Sequence, residues 1–223
     1  MCGRFAFHAT ADELLEAFGV IVAPDLEPRY NIAPSQPVPV IRADQDGERH
    51  MDLLRWGLVP SWAKDSKIGN RLINARAETV AEKPAFRSAY KRRRCLIAAS
   101  GFFEWQASPG GKIPMYISDP SGRPYAFAGL WERWQQAGAA PLETCLIVTV
   151  AANNVLQPVH ERMPAILDAD AQATWLSALT PAQDCRSLLR PAAERFTRFW
   201  PVSRKVNNPA HEGPDQLVPV EAI

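Results

Sequence analysis

The apolar positions of this chain fall into short runs broken by glycine- and proline-rich turns. In TADELLEAFGV, Leu14, Leu15 and Phe18 recur at helical spacing. Thr10 and Glu13 precede them as a capping box and Gly19 follows as a C-terminal stop, so a short helix is expected with those three side chains inward. Residues 31–39 are broken by prolines and are expected to wrap a surface. Segments 38–42 and 51–58 flank ADQDGER, whose Asp-Gly pair marks a hairpin. A helix is expected over about 83–90. After it, 95–105, 113–118, 125–131 and 144–151 read as successive strands separated by PGGK, DPSGRP and a loop over 135–142. Thr180-Pro181-Ala182-Gln183 reads as another helix start and 196–206 as a last strand. Strands joined by short turns pair antiparallel. The predicted fold class is α+β: a single domain over 1–223 with curved, mainly antiparallel β-sheets, a barrel-like core and short flanking helices.

Composition adds little to this picture. With 223 residues, 47% of them hydrophobic, the chain can bury a core without staples. No apolar run approaches the ~18 residues of a membrane span. The first twenty residues carry Asp12, Glu13 and Glu16, unlike a secretory signal. Cys2, Cys95, Cys145 and Cys185 lie far apart with no CxxC, which argues against a metal site and for reduced thiols in a cytoplasm. Cys95 and Cys145 sit in apolar runs and read as core residues. No cofactor is implied, no membrane contact is expected, and nothing demands more than a monomer.

Charge changes the picture more. Eleven Lys or Arg stand between Arg55 and Arg94 against three acids, Asp65, Glu78 and Glu82. That segment carries +8, so a chain of net charge +1 carries −7 elsewhere. A basic face suits a polyanion, although such a run can equally be a solvated surface. Trp56 and Trp62 lie within it, and cationic grooves with stacking aromatics hold single-stranded nucleic acid.

The opening MCGRF carries the candidate chemistry. Removal of Met1, which a small second side chain permits, would leave Cys2 with an α-amine and a thiol on adjacent carbons. An α-amine has a pKa of ~7.7–8, so roughly a tenth is the free nucleophile near pH 7. A 1,2-aminothiol condenses with an aldehyde to an imine, and its thiol closes on the imine carbon to give a thiazolidine. The same residue is equally suited to attack an acyl group, as N-terminal nucleophile hydrolases do.

Eight blocks, in order, resemble one family. They are MCGRF, RYNIAPSQPVPVI, RWGLVPSWAKD, INARAETV with KPAFR, RRCLIAASGFFEW, AGLWERW, LIVTVAANNVLQPVHERMPAIL and VSRKVNN. On these the chain resembles the SRAP family, the SOS-response-associated peptidase or abasic-site processing proteins, from Met1 to about Asn208, with a C-terminal tail over 209–223. The resemblance implies binding of single-stranded DNA at an abasic site and a covalent thiazolidine through Cys2 that shields the lesion. It also implies peptidase-type self-processing that exposes Cys2.

It further implies roles for particular residues. Cys2 is the nucleophile. Asn74, in INAR, resembles the asparagine that holds N-terminus and lesion in register, its amide able to donate and accept; a helix cap is the ordinary alternative. Glu104 lies amid aromatics that should raise its pKa, which suits a proton shuttle, or it is a satisfied structural carboxylate. His160 titrates near neutrality and is the candidate for opening the sugar hemiacetal, unless it is structural. Arg4, Arg76 and Arg162 are assigned to phosphates, whose oxygens match guanidinium forks. Trp62 and Trp105 are candidates to stack beside the lesion, with core packing as their alternative, and Lys83 and Arg87 lie where they could extend the groove. An N-terminal nucleophile amidohydrolase explains Cys2 but not the basic segment; a non-catalytic DNA-binding module explains the reverse.

Overall fold

Two ten-residue strands, Tyr125–Trp134 (β9) and Leu142–Ala151 (β10), close the core of the molecule. The computed structural model describes residues 2–20, 26–136 and 138–221. Around β9 and β10 stand Pro37–Ala43 (β3), Arg49–Trp56 (β4) and Arg94–Ala99 (β6). They pair in the order β10–β4–β3–β6–β9, and β9 returns to β10, so five strands form a closed barrel. Every pairing in that ring is antiparallel except β4 with β10. Closure leaves few open edges, and the pairing puts Val40, Trp56, Ile97, Phe127 and Cys145, all buried, on one face of the barrel.

A second, open sheet packs beside the barrel. Its strands are Phe5–Phe7 (β1), Arg29–Ile32 (β2), Gly101–Gln106 (β7), Ile113–Ser118 (β8) and Arg198–Pro201 (β12), in the order β12–β8–β7–β1–β2. Phe5 joins the two layers, its ring 5.2 Å from that of Trp56 and 6.2 Å from that of Phe127. Asn74–Arg76 (β5) runs parallel to β10, and Arg162–Pro164 (β11) runs antiparallel to it. Among the described residues three α-helices, Ala11–Phe18 (α1), Arg87–Arg92 (α2) and Ala169–Leu176 (α3), lie outside. The architecture is α+β, as the pattern predicts.

Several expectations shift. The capping box forms, with Thr10 N–H donating to Glu13 at 2.7 Å and Glu13 N–H to Thr10 Oγ1 at 3.3 Å, but Leu15 is half exposed. Residues 95–105 are two strands in two sheets, divided at Ser100. A Cβ on Gly101 would lie 2.4 Å from the Tyr116 ring, so only glycine fits at the crossing. The helix expected from 83 begins at Arg87. The start at Thr180 gives only a 3-10 turn, Asp184–Leu188, entered by Asp184 N–H donating to the Pro181 carbonyl at 3.0 Å. The last strand is shorter than 196–206 and gives way to a 3-10 turn at Arg204–Asn207. Asn31, Ile32 and Ala33, expected on a surface wrap, are buried. Asn31 is fully so, donating to the carbonyls of Val206, Asn208 and His211 and accepting from Arg4 at 2.6 Å.

Candidate active site

Cys2 is placed by strand register. Phe5 pairs with Phe102, Ala6 with Gly101, and Phe103 N–H donates to the Arg4 carbonyl at 2.9 Å. Continuing that antiparallel register sets Gly3 opposite Glu104 and Cys2 opposite Trp105, so Cys2 lies one position from Glu104, whose charge acts on its thiol. The thiol is fully buried. Burial, and after it the negative charge of Glu104, pushes the Cys2 thiol far above its ordinary range, so it is held protonated.

Asn74 arrives from the barrel. The pairing of β5 with β10 sets Asn74 against Ile147. From there its Nδ2 donates to the Cys2 carbonyl at 2.7 Å, while its buried Oδ1 has no hydrogen-bond partner within the protein. The N-terminal strand and β5 are thus tied together at the residue that carries the candidate nucleophile.

Glu104 is 3% exposed, and burial raises its carboxyl above the ordinary carboxylate range, with His160 among the groups opposing that shift. His160 stands at the end of a turn organised by Asn153, whose Oδ1 accepts from Leu156 N–H at 3.0 Å and whose Nδ2 donates to Thr197 and Ala192. Nδ1 of His160 accepts the Arg162 N–H at 2.9 Å, which assigns the neutral ring's hydrogen to Nε2. That nitrogen is 3.9 Å from Glu104 Oε2. Carboxyl, imidazole and thiol therefore lie close together, the first raised by burial toward its protonated form.

The arginines are divided between structure and surface. Arg4 is half-buried, donates to Asn31 Oδ1 at 2.6 Å and to the Val206 carbonyl at 2.5 Å, and lies 5.9 Å from the Trp105 ring centroid. Trp105 is half-buried, its Nε1 donating to Asn207 Oδ1 at 2.7 Å. Arg76 follows Asn74 by two residues on β5, so both project from the same face, and it is exposed. Arg162, on the other flank of β10, is gripped by Glu78 through both oxygens, at 2.6 and 3.0 Å, and donates to the Thr149 carbonyl at 2.6 Å. Glu78 is a site neighbour that sequence reasoning passed over; its only signal was an acid inside a basic segment.

Trp62 is carried separately on the excursion 57–73 and is 60% exposed. That excursion is pinned where Gly57 and Gly69 touch backbone to backbone: a Cβ on Gly57 would lie 2.6 Å from the Gly69 carbonyl oxygen. Trp134 Nε1 also holds the Ala63 carbonyl at 2.7 Å. Trp56, by contrast, is fully buried and donates to the Ile73 carbonyl, so it is no stacking platform. The basic run is also less continuous than its sequence implies. Arg94 is buried among carbonyls and Arg93 is paired with Glu132 at 2.6 Å, whereas Lys83, Arg87, Lys91 and Arg92 are exposed. Among the described residues no cluster of His, Cys, Asp and Glu could hold a metal ion, and no helix is long and apolar enough to cross a membrane.

Residues 1–209 match the family model for the SOS response associated peptidase (SRAP). The chain belongs to the SRAP family. It is 41% identical over 222 residues to abasic site processing protein YoqW of Bacillus subtilis (strain 168), covering 97% of this chain and 99% of that one. Identity to abasic site processing protein YedK of Escherichia coli (strain K12) is 32%, across 99% and 100% of the two chains. Abasic site processing protein HMCES of Gallus gallus is 35% identical, over 87% of this chain and 67% of its own. A crystal structure of a Bacteroides thetaiotaomicron protein superposes with a TM-score of 0.87 at 24% identity, covering 98% of this chain and all of that one, which shows a shared fold. In this SRAP chain, Cys2, Asn74, Glu104 and His160 come together from four separate sequence blocks.

Proposed function

We propose that this protein binds single-stranded DNA at abasic sites and captures the lesion covalently through Cys2 once Met1 has been removed. The juxtaposition of a residue-2 cysteine with Glu104 and His160 carries the reading, and the names of relatives with 30% identity and above support it. The amine of Cys2 adds to C1′ of the open sugar, and loss of water gives an imine. The sulfur then adds to the carbon of the protonated C=N bond as the thiol gives up its proton, and the thiazolidine closes without oxidant or metal.

Each neighbour has a task in that sequence. Glu104, held toward its protonated form, donates to the departing hydroxyl and takes the proton back from the thiol. A thiol kept protonated by burial attacks second, after the amine. His160 exchanges the proton that opens the hemiacetal. Asn74 fixes the Cys2 carbonyl and so the direction of its amine. Its unpartnered Oδ1 is free to accept from the sugar or from that amine. Arg76 and the exposed lysines and arginines of the +8 segment meet phosphates, and exposed Trp62 stacks on a base, worth ~1–3 kcal/mol. Phosphate contacts position the strand without reading sequence, so the aldehyde itself supplies selectivity. Self-cleavage to expose Cys2 would use the same Glu104–His160 pair.

Intact-protein mass spectrometry after incubation with an abasic oligonucleotide tests the proposal. The expected product has lost Met1 and gained the mass of the oligonucleotide less one water, and survives heating. Equal adduct yield from Cys2→Ser would overturn the thiazolidine, since an oxazolidine is far less durable.

A further inference from the structure

We propose that Glu78 is a specificity-determining residue that occupies the phosphate fork of Arg162 and keeps the affinity for undamaged strands low; the inference rests on the function proposed above. A guanidinium presents paired N–H groups that suit carboxylate and phosphate oxygens alike. In this structure both oxygens of Glu78 take that fork, Nη1 at 2.6 Å and Nη2 at 3.0 Å. The Arg162 side chain is mostly buried at 11% exposure and that of Glu78 is 55% exposed, so the arginine is the fixed partner and the acid the displaceable one. The Thr149 carbonyl anchors Nη2 whether or not Glu78 is present. The Arg162 Nε is buried, so the two Nη groups alone face Glu78.

Glu78 also lies in the field of Arg76, and the positive charge of both arginines holds its carboxyl below the ordinary range, the hydrogen bond from Arg162 being the main cause. The acid therefore stays ionised at neutral pH and cancels one positive charge two residues along the chain from His160. A phosphate must displace it to reach Arg162. On an intact strand that exchange is a standing penalty against residence. On an abasic strand the covalent bond holds the DNA whatever the exchange costs. Weak reversible binding combined with durable capture is how a covalent sensor avoids coating undamaged DNA.

The test is a comparison of Glu78→Gln with wild type for reversible binding of an intact oligonucleotide across a salt series. The Gln variant is expected to bind about two- to fivefold tighter at low salt, the span of an exposed ion pair. Its log–log salt slope should steepen by about 0.7, one further phosphate contact. The gain should disappear in an Arg162→Gln background and be absent in Glu82→Gln, an exposed acid of the same segment. Unchanged or weaker binding by Glu78→Gln, or an equal gain from Glu82→Gln or with Arg162 removed, would overturn the proposal. Glu78→Ser, too short to reach the fork, replaces the Gln variant if that one melts below the assay temperature. Adduct formation by the wild type, measured alongside, reports separately on the function from which the inference starts.

Discussion

Glu104 carries a carboxyl group into surroundings where its charge is costly. Its pKa in the folded protein is raised, chiefly by burial, so the fold favours the protonated acid. That stability is fully present below the ordinary carboxylate pKa of about 4.3 and falls as pH rises toward and through the raised value. Glu104→Gln should therefore melt together with the wild type near pH 4 and above it at pH 8, by scanning calorimetry. The same variant should capture abasic DNA at least ~100-fold more slowly, the usual scale of acid–base catalysis. Asn74→Ala should lose about 0.5–1.5 kcal/mol for its bond to the Cys2 carbonyl and also slow capture, as read from urea midpoints and adduct time courses. The sequence made Cys2, Asn74, Glu104 and His160 legible because each stands in a recognisable block. It hid Asn31 and Glu78, whose partners lie 175 and 84 residues away and leave no local spacing to read.

At the scale of elements, legibility followed locality. The capping box at Thr10 and Glu13 and the Asp-Gly hairpin are complete within a few residues, and both form. Leu15 fails because 14 and 18 share a face four residues apart, whereas 15 is turned about 100° from its neighbour. The strand over 95–105 was read as one because nothing in its composition marks the change of sheet. What marks it is Tyr116, which leaves Gly101 no room for a side chain. Gly101→Ala should cost about 1–3 kcal/mol or more through overpacking, and it should disturb the β1–β7 pairing that brings Cys2 near Glu104. Urea unfolding would give the first effect and adduct rate the second. Helix α3 was missed because the apolar residues of ADAQATWL alternate with polar ones and set no helical period; Asp168, accepting from Ala171 N–H at 3.0 Å, caps it nonetheless.

Over the whole molecule, the residues beyond the family match belong to the structure. Glu212 accepts from Tyr30 N–H at 2.8 Å and pairs with Arg29. The Leu217 carbonyl accepts from Trp200 at 2.8 Å, and Gln216 is 1% exposed. Ending the chain at Asn208 should lower the unfolding free energy by about 2 kcal/mol or more, the sum of such bonds, measured by denaturant midpoint. The sequence led to a barrel-like core but not to the pair that closes it, because β4–β10 joins residues some ninety positions apart, Arg55 with Thr144.

The tie from Arg4 through Asn31 to Val206 has a consequence for synthesis. At about 5–20 residues per second, the reactive terminus leaves the ribosome ten seconds or more before the segment that finishes its housing. Were Met1 removed within that interval, the aminothiol of the proposed capture would be an ordinary one, open to aldehydes other than the lesion's. Delaying methionine excision until the polypeptide has folded would spare the nucleophile, and pulse-labelled chains should then keep Met1 until release.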